Sequence, residues 1–308
     1  MTLMDVFSQF SSDDKCRELL KRLRWPEGPM CLKCGNTGVF KLHTAKDLLY
    51  CRPCRFQFTV TSNTIFHDSH LPLTKWFAAV LLLVEARKGM SAMQLKRTIG
   101  MGYKTAWYLF HRIRKAMSTA ERVMLAGKVE MDEYYLGGVK RGMGQKKAKE
   151  AKEIVIGIRQ RGGELRFFHA EDVKTGTLAK YIKENISADV DVLMTDDFNA
   201  YQRAVGDVKH ETVNHTNKEY VRYTPDLTIH TNTVENAFSL LNRGIIGSWH
   251  KVSAKHLPKY LAEMEFRFNR RKREDLFIDT LRHMITADPM TFENLTYEPD
   301  PEFDKPAA

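Results

Sequence analysis

Two CxxC pairs, CLKC at Cys31–Cys34 and CRPC at Cys51–Cys54, stand sixteen residues apart and constrain this chain more than any other stretch. Within each pair a short turn lets two thiolates converge, and two such knuckles at this spacing match a four-cysteine tetrahedral zinc site. A redox role fits poorly, because neither pair sits in a strand-helix-strand pattern. The segments VFKLHTAKDLLYC and RFQFTVTS alternate like short strands, which predicts a zinc ribbon over residues 29–66 that depends on its metal to fold. Lys33, Lys41, Lys46, Arg52 and Arg55, with Phe40, Tyr50, Phe56 and Phe58 interleaved, give this ribbon a nucleic-acid-binding composition. The fifth cysteine, Cys16, has no paired neighbour. It lies in DDKCRELLKRLR, a helix with acids first and bases last inside an N-terminal segment of residues 1–28, and reads as a small half-buried residue.

The rest of the chain supports packed domains. Its 308 residues are 43% hydrophobic, and 48 Lys+Arg against 38 Asp+Glu give a formal charge of +10, which favours a polyanionic partner. The longest apolar run, WFAAVLLLVEA, is interrupted by Glu85 and too short to span a bilayer, and the N-terminus lacks a signal-peptide pattern. No membrane partner is expected, and the cytoplasm is the expected location. Residues 71–120 are helical in period: an apolar helix, then SAMQLKRTIGMGYKTAWYLFHRIRKAM, a short helix, a glycine-containing turn and a longer basic helix. This is a helix-turn-helix pattern with Ser91 as N-cap and Tyr103 to Met117 as recognition-helix candidate, a plain helical hairpin with a solvated basic face being the alternative. Trp107, Phe110 and Ile113 are expected inward, with Lys104, Arg112, Arg114 and Lys115 outward as DNA contacts.

Beyond Gly127 the character turns to strands. KVEMDEYYLGG places Glu130 and Asp132 on one face and Val129 and Met131 on the other, and Gly137-Gly138 supplies the turn, so Asp132 belongs within a sheet. The basic run at 139–152, with Lys140, Arg141, Lys146 and Lys147, is a candidate phosphate clamp, or else a solvated hairpin loop. EIVIGIRQ and ELRFFHAE flank an RGG turn as a hairpin, and TGTLAKYIKENI follows as an amphipathic helix. A short strand, Val190 to Met194, leads into Asp196 and Asp197. Either of these is a candidate acid at a strand's carboxyl end, and an N-cap for the next helix is the alternative. Near Asn232 another helix begins, with Val234, Ala237, Phe238 and Leu241 as its apolar stripe. Glu235 is either a third acid or half of a capping pair with Asn232. His210, His215 and His230, irregularly spaced, read as surface or phosphate-contact residues. Three acids on separate elements can hold two hard cations about 4 Å apart for phosphoryl transfer. Arg243, Trp249, His250, Lys251 and the cations through residue 273 suit a nucleic-acid groove. The end from Tyr297 is acidic and proline-rich, the composition of disorder.

These motifs together, CLKC and CRPC, TSNTIFHDSHLPLTKWF, YKTAWYLFHRIRKAM, MDEYYLGG, TDDFNAY and HTNTVENAFSLLNRGIIGSWHKVSAKHLPKYLAEMEFRFNRR, resemble bacterial insertion-sequence transposases of the DDE type with an N-terminal zinc ribbon. The resemblance covers nearly the whole chain. It implies an α/β fold with a ribonuclease-H-like mixed-sheet catalytic core over residues 127–285, followed by a tail at 286–308. It also implies two catalytic Mg²⁺ or Mn²⁺ ions beside the structural zinc, with terminal inverted repeats and target DNA as partners. Two ends must meet, so a homodimer or larger assembly is expected on DNA. Carried over by position, the acids are Asp132, Asp196 and Glu235, with Asn232 as substitute or helper because some members are described with Asn in place of the third acid. The chain departs from the family pattern at Asn242, where Lys is expected seven residues after the acid and where adjacent Arg243 could reach a phosphate instead. It departs again at Asn63, where Gly is expected. A DNA-binding regulator with an inactive core is the rival expectation.

Overall fold

The structure, a computed structural model, describes residues 1–42, 47–118, 122–137 and 152–297. The chain forms two units, one of Met1–Ala86, Ser91–Met117 and Arg273–Ala308, the other of Arg87–Met90 and Ser118–Lys272. No helix among the described residues is long and apolar enough to cross a membrane.

In the first unit, α1 (Leu3–Gln9) starts at a capping box between Thr2 and Asp5, and α2 (Asp13–Arg24) covers the expected N-terminal helix, with Cys16 buried and its thiol pushed up to about 12, chiefly by that burial. The ribbon is a three-stranded antiparallel sheet of β1 (Val39–Lys41), β2 (Leu49–Cys51) and β3 (Gln57–Phe58). Asn63 follows with φ of +54°, so the position where glycine was expected does take the left-handed conformation, one that asparagine tolerates better than most residues.

The apolar α3 (Leu73–Glu85) is almost wholly buried. After it come α4 (Ala92–Ile99), capped by the Ser91 hydroxyl, and α5 (Tyr103–Met117), joined through left-handed Gly100. The chain's return supplies α10 (Leu276–Thr286) and α11 (Phe292–Thr296). The sequence reading grouped residues up to 285 with the α/β domain, but α10 packs against α2, α3 and α5 of the first unit. Phe277 joins a ring cluster there, 5.8 Å from Phe77, which in turn stands 5.2 Å from Phe10.

The second unit is built on a five-stranded mixed sheet. Its strands are β4 (Lys128–Leu136), β5 (Glu153–Gln160), β6 (Leu165–Ala170), β7 (Val192–Asp196) and β8 (His210–Val213), in the order β6-β5-β4-β7-β8. The β4-β5-β6 pairs are antiparallel, as the hairpin pattern required, and β7 and β8 add in parallel. Alternation along β4 and β5 sends Val129, Met131, Ile156 and Ile158 to one face. There they bury with Leu178 and Ile182 of α6 (Thr175–Asn185) and with Tyr201 of α7 (Asn199–Ala204). The other face buries Leu136, Val155 and Phe167 under α8 (Asn232–Gly244) and α9 (Leu257–Arg270). A two-stranded ribbon, β9 (Arg222–Tyr223) and β10 (Thr228–Ile229), precedes α8.

Candidate active site

Asp132 sits mid-strand in β4, the central strand, paired with Gly157 of β5. Parallel pairing of β4 with β7 sets Glu130 opposite Met194, two residues before Asp132 and before Asp196, the last residue of β7, and the Asp196 charge acts on Asp132. Helix α8 crosses the same face because Gly157 leaves room for it. A Cβ there would stand 2.7 Å from Phe238 Cζ and 2.9 Å from Val234 Cγ2. Burial pushes the Asp132 carboxyl well above the usual carboxylate range, and the charges of Glu133, Asp196 and Glu235 push it further, while the Glu133 N–H, 2.8 Å from Oδ1, pulls it down. Glu133 points to the opposite face of the strand, where the buried Tyr201 hydroxyl donates to it at 2.7 Å.

The two aspartates at the end of β7 differ in their partners. Asp197 is exposed, and its carboxylate accepts from Gln202 Nε2 at 3.0 Å and Asn214 Nδ2 at 2.8 Å. Asp196 accepts from Phe198 N at 3.2 Å, a turn bond, and does not cap α7, which begins at Asn199 behind Phe198. On α8 the Asn232–Glu235 capping pair is not formed. Asn232 is the exposed first residue of the helix, and Thr231 at the N-cap position donates its hydroxyl to Glu235 Oε1 at 2.7 Å. His215 Nε2 lies 3.4 Å from the same oxygen.

The N–H groups at the start of α8 find their acceptor in β4. Glu130, fully buried, accepts from Thr233 N at 2.8 Å, Thr233 Oγ1 at 2.7 Å and Val234 N at 3.0 Å, so a strand residue does the work of an N-cap. Its other oxygen accepts from Arg161 Nε at 2.6 Å and lies 3.2 Å from His230 Nδ1. Burial, then the Arg161 charge, holds the His230 imidazole below its usual range. Neither Glu130 nor Gly157 was singled out in the sequence for these duties. A glycine inside a β-branched strand was the available signal for the second.

Among the described residues, the four cysteines of the ribbon gather all their ligand atoms within 4.8 Å. Cys31 and Cys54 sulfurs are 3.5 Å apart and Cys34 and Cys51 sulfurs 3.6 Å, a donor set of four soft thiols that fits a single tetrahedral zinc ion.

The expected DNA-contacting cations divide sharply. Arg112 and Arg114 are buried, not outward. Arg112 donates to His67 O at 2.6 Å and lies over the Trp76 ring, and Arg114 lies over Phe110. Their sequence spacing allowed an outward face, but the elements packed on α5 enclose that side, where a guanidinium can still stack on rings. Lys104 is exposed in the first turn of α5, and Lys115 is half-buried, donating to Pro289 O at 3.0 Å. Arg243 and Lys251 are exposed, while Trp249 is buried edge-on to Tyr260, a core ring and not a groove ring. Lys140, Arg141, Lys146 and Lys147 lie outside the described residues.

The described residues hold a mixed α/β unit with acids on its central strands and, in the other unit, a ribbon of four clustered thiols, a modular build. Residues 124–269 match the ISXO2-like transposase domain, and residues 11–57 match the transposase zinc-ribbon domain. The chain is also 30% identical over 280 residues to an uncharacterized protein in transposable element ISH50 of Halobacterium salinarum, an alignment covering 84% of this chain and 91% of that protein. The chain belongs to the insertion-sequence transposases with a zinc-ribbon domain.

Proposed function

We propose that this transposase cuts and joins the ends of its element by in-line phosphoryl transfer, with Asp132, Asp196 and Glu235 holding two divalent cations, Mg²⁺ or Mn²⁺. The observation that carries the reading is the Asp132 carboxyl, held in a central strand among acids whose charges penalise its ionisation. An anionic cluster of this kind favours cation binding, since a bound ion reverses that penalty. Three acids on separate elements suit a pair of ions about 4 Å apart. The strand order, three antiparallel strands with two parallel additions on the β4 side, supports a ribonuclease-H-like core. When bound, the cations supply activation of the attacking water or 3′ hydroxyl and stabilisation of the leaving oxygen. Thr231 fixes the Glu235 carboxylate, the Glu133 N–H fixes that of Asp132, and the turn bond from Phe198 fixes that of Asp196.

DNA ends are selected by the ribbon and by α4 and α5 acting as a helix-turn-helix. With Arg112 and Arg114 interior, the contacting surface is the first turn of α5, with Tyr103, Lys104 and Thr105 exposed, together with Lys96 and Arg97 of α4. Recognition helices read base edges from their N-terminal residues, which agrees with this assignment. Arg243 and Lys251 hold backbone phosphate, and two copies of the chain pair the two ends. The test is a cleavage and strand-joining assay on end-containing DNA with Mg²⁺ or Mn²⁺. Magnesium-dependent nicks and joined products, both lost in Asp132→Asn, are the expected result. Binding to ends without any cut in either chain would establish the regulator instead.

A further inference from the structure

One contact group lies at the same offset from all three acids. Two residues before Asp132 is Glu130, two before Asp196 is Met194, and two before Glu235 is Thr233. Glu130 Oε2 accepts from Thr233 N at 2.8 Å and Thr233 Oγ1 at 2.7 Å. Arg161, whose Nε donates to Glu130 Oε1 at 2.6 Å, carries a terminal nitrogen 3.1 Å from Met194 Sδ. The same guanidinium donates to Thr228 O at 2.6 Å and His230 O at 3.0 Å, tying in the ribbon that leads to α8.

We propose that Glu130 and Arg161 are a positioning pair, setting the distance of Glu235 from Asp132 and Asp196 and through it the affinity of the three acids for their cations; this rests on the phosphoryl-transfer reading above. A helix start is ordinarily satisfied by a local hydroxyl or carboxylate, which leaves the helix free to move with its own loop. Here Thr231, the residue at that position, gives its hydroxyl to Glu235, and the orphan N–H groups of Thr233 and Val234 are met from the central strand. The entry of α8 is thereby pinned to the strand that carries Asp132. A carboxylate with no exposed surface, accepting from two backbone N–H groups, a hydroxyl and a guanidinium, has one geometry open to it, which is what a fixed inter-acid distance requires. Groups that orient metal-binding residues without touching the metal commonly alter its affinity by about 10- to 100-fold when removed.

The test uses the full-length, zinc-loaded chain and the variants Glu130→Gln and Arg161→Lys, with Asp132→Asn as reference. Mn²⁺ binding is followed by electron paramagnetic resonance, cleavage as a function of Mn²⁺ concentration, end-DNA binding by anisotropy, and folding by thermal melting. Wild type is expected to bind Mn²⁺ that Asp132→Asn does not. Glu130→Gln and Arg161→Lys are expected to melt cooperatively and bind ends as wild type does, yet to need about tenfold more Mn²⁺ for both binding and half-maximal cleavage. Excess Mn²⁺ then restores much of the lost rate, a rescue that a merely structural role would not give. Equal Mn²⁺ affinity in wild type and both folded variants overturns the proposal, as does loss of the folded α/β unit in both. Failure of wild type to bind or cut with Mn²⁺ sinks the phosphoryl-transfer reading itself and is told apart by the Asp132→Asn reference.

Discussion

Replacing Asp132 by Asn separates stability from function at a single side chain. Burial and the neighbouring acids penalise the charged form of this carboxyl, so a neutral amide of the same shape removes a cost from the cation-free fold. The metal-free variant is expected to melt above wild type in a chelator-containing scan, while its cleavage rate falls by about a thousandfold, several kcal/mol at about 1.4 kcal/mol per decade. Asp197→Asn tests the neighbouring choice: its partners are Gln202 and Asn214, and cleavage is expected to stay close to wild type. His210 gives a pH signature of its own. Burial lowers its pKa below the ordinary 6.5, and its Nε2 lies 2.9 Å from Thr195 Oγ1. The unfolded chain then takes up the proton first, so this contribution is present above pH 6.5 and is lost as pH falls through the window beneath it. Urea unfolding at a series of pH values is expected to show a shallower acid loss in His210→Asn than in wild type. The strand positions of Asp132 and Asp196 and the clustering of the four cysteines were legible in the sequence because strand alternation, strand ends and knuckle spacing are local signals. Glu130 was read only as a face-mate of Asp132, since its acceptor role depends on a helix 103 residues away.

Elements carried by strong periodicity came through as expected: α2, the β5-β6 hairpin, α6 and the α8 stripe all follow their patterns. Burial of arginines in α5 did not, because a helix face open in sequence is closed by whatever packs on it, and Arg112 meets His67 from 45 residues upstream. The close approach of α8 to the sheet depends on Gly157. Gly157→Ala drives a methyl into Phe238 and Val234, an overpacking expected to cost about 1–3 kcal/mol. Because α8 carries Glu235, the shift is expected to lower cleavage more than stability accounts for. Phe238→Leu placed in the same chain, by opening the contact, is expected to recover part of both. Paired melting and cleavage measurements on the two variants check this, and a Gly157→Ala chain with unchanged cleavage would show that α8 tolerates displacement.

At the scale of the molecule, the chain enters the helical and ribbon unit, leaves it for the α/β unit, and returns at Arg273. No local signal could have shown that return. The cations through residue 273 read as part of a nucleic-acid groove, and which body the following helix joins is decided by its apolar face alone. That face, Phe277, Leu281, Met284 and Ile285, is buried, with Phe277 among the rings of Phe10 and Phe77. A chain ending at Lys272 therefore exposes the partners of α10 on α2, α3 and α5 while leaving every residue of the five-stranded sheet in place. Loss of several large buried side chains at about 1.5–3 kcal/mol each exceeds what a small helical unit can spare. Hydrogen exchange read segment by segment is expected to show protection collapsing in α2, α3 and α5 of the shortened chain and persisting in β4, β5 and β7. Stripping zinc from the intact chain makes a contrasting case, since the ribbon's three short strands bury too little to hold without the thiol-bound ion. There the loss is expected in β1 to β3, with α10 and its partners still protected. Protection of α2 and α3 unchanged after truncation would mean that the returning helix adds nothing to the unit it joins.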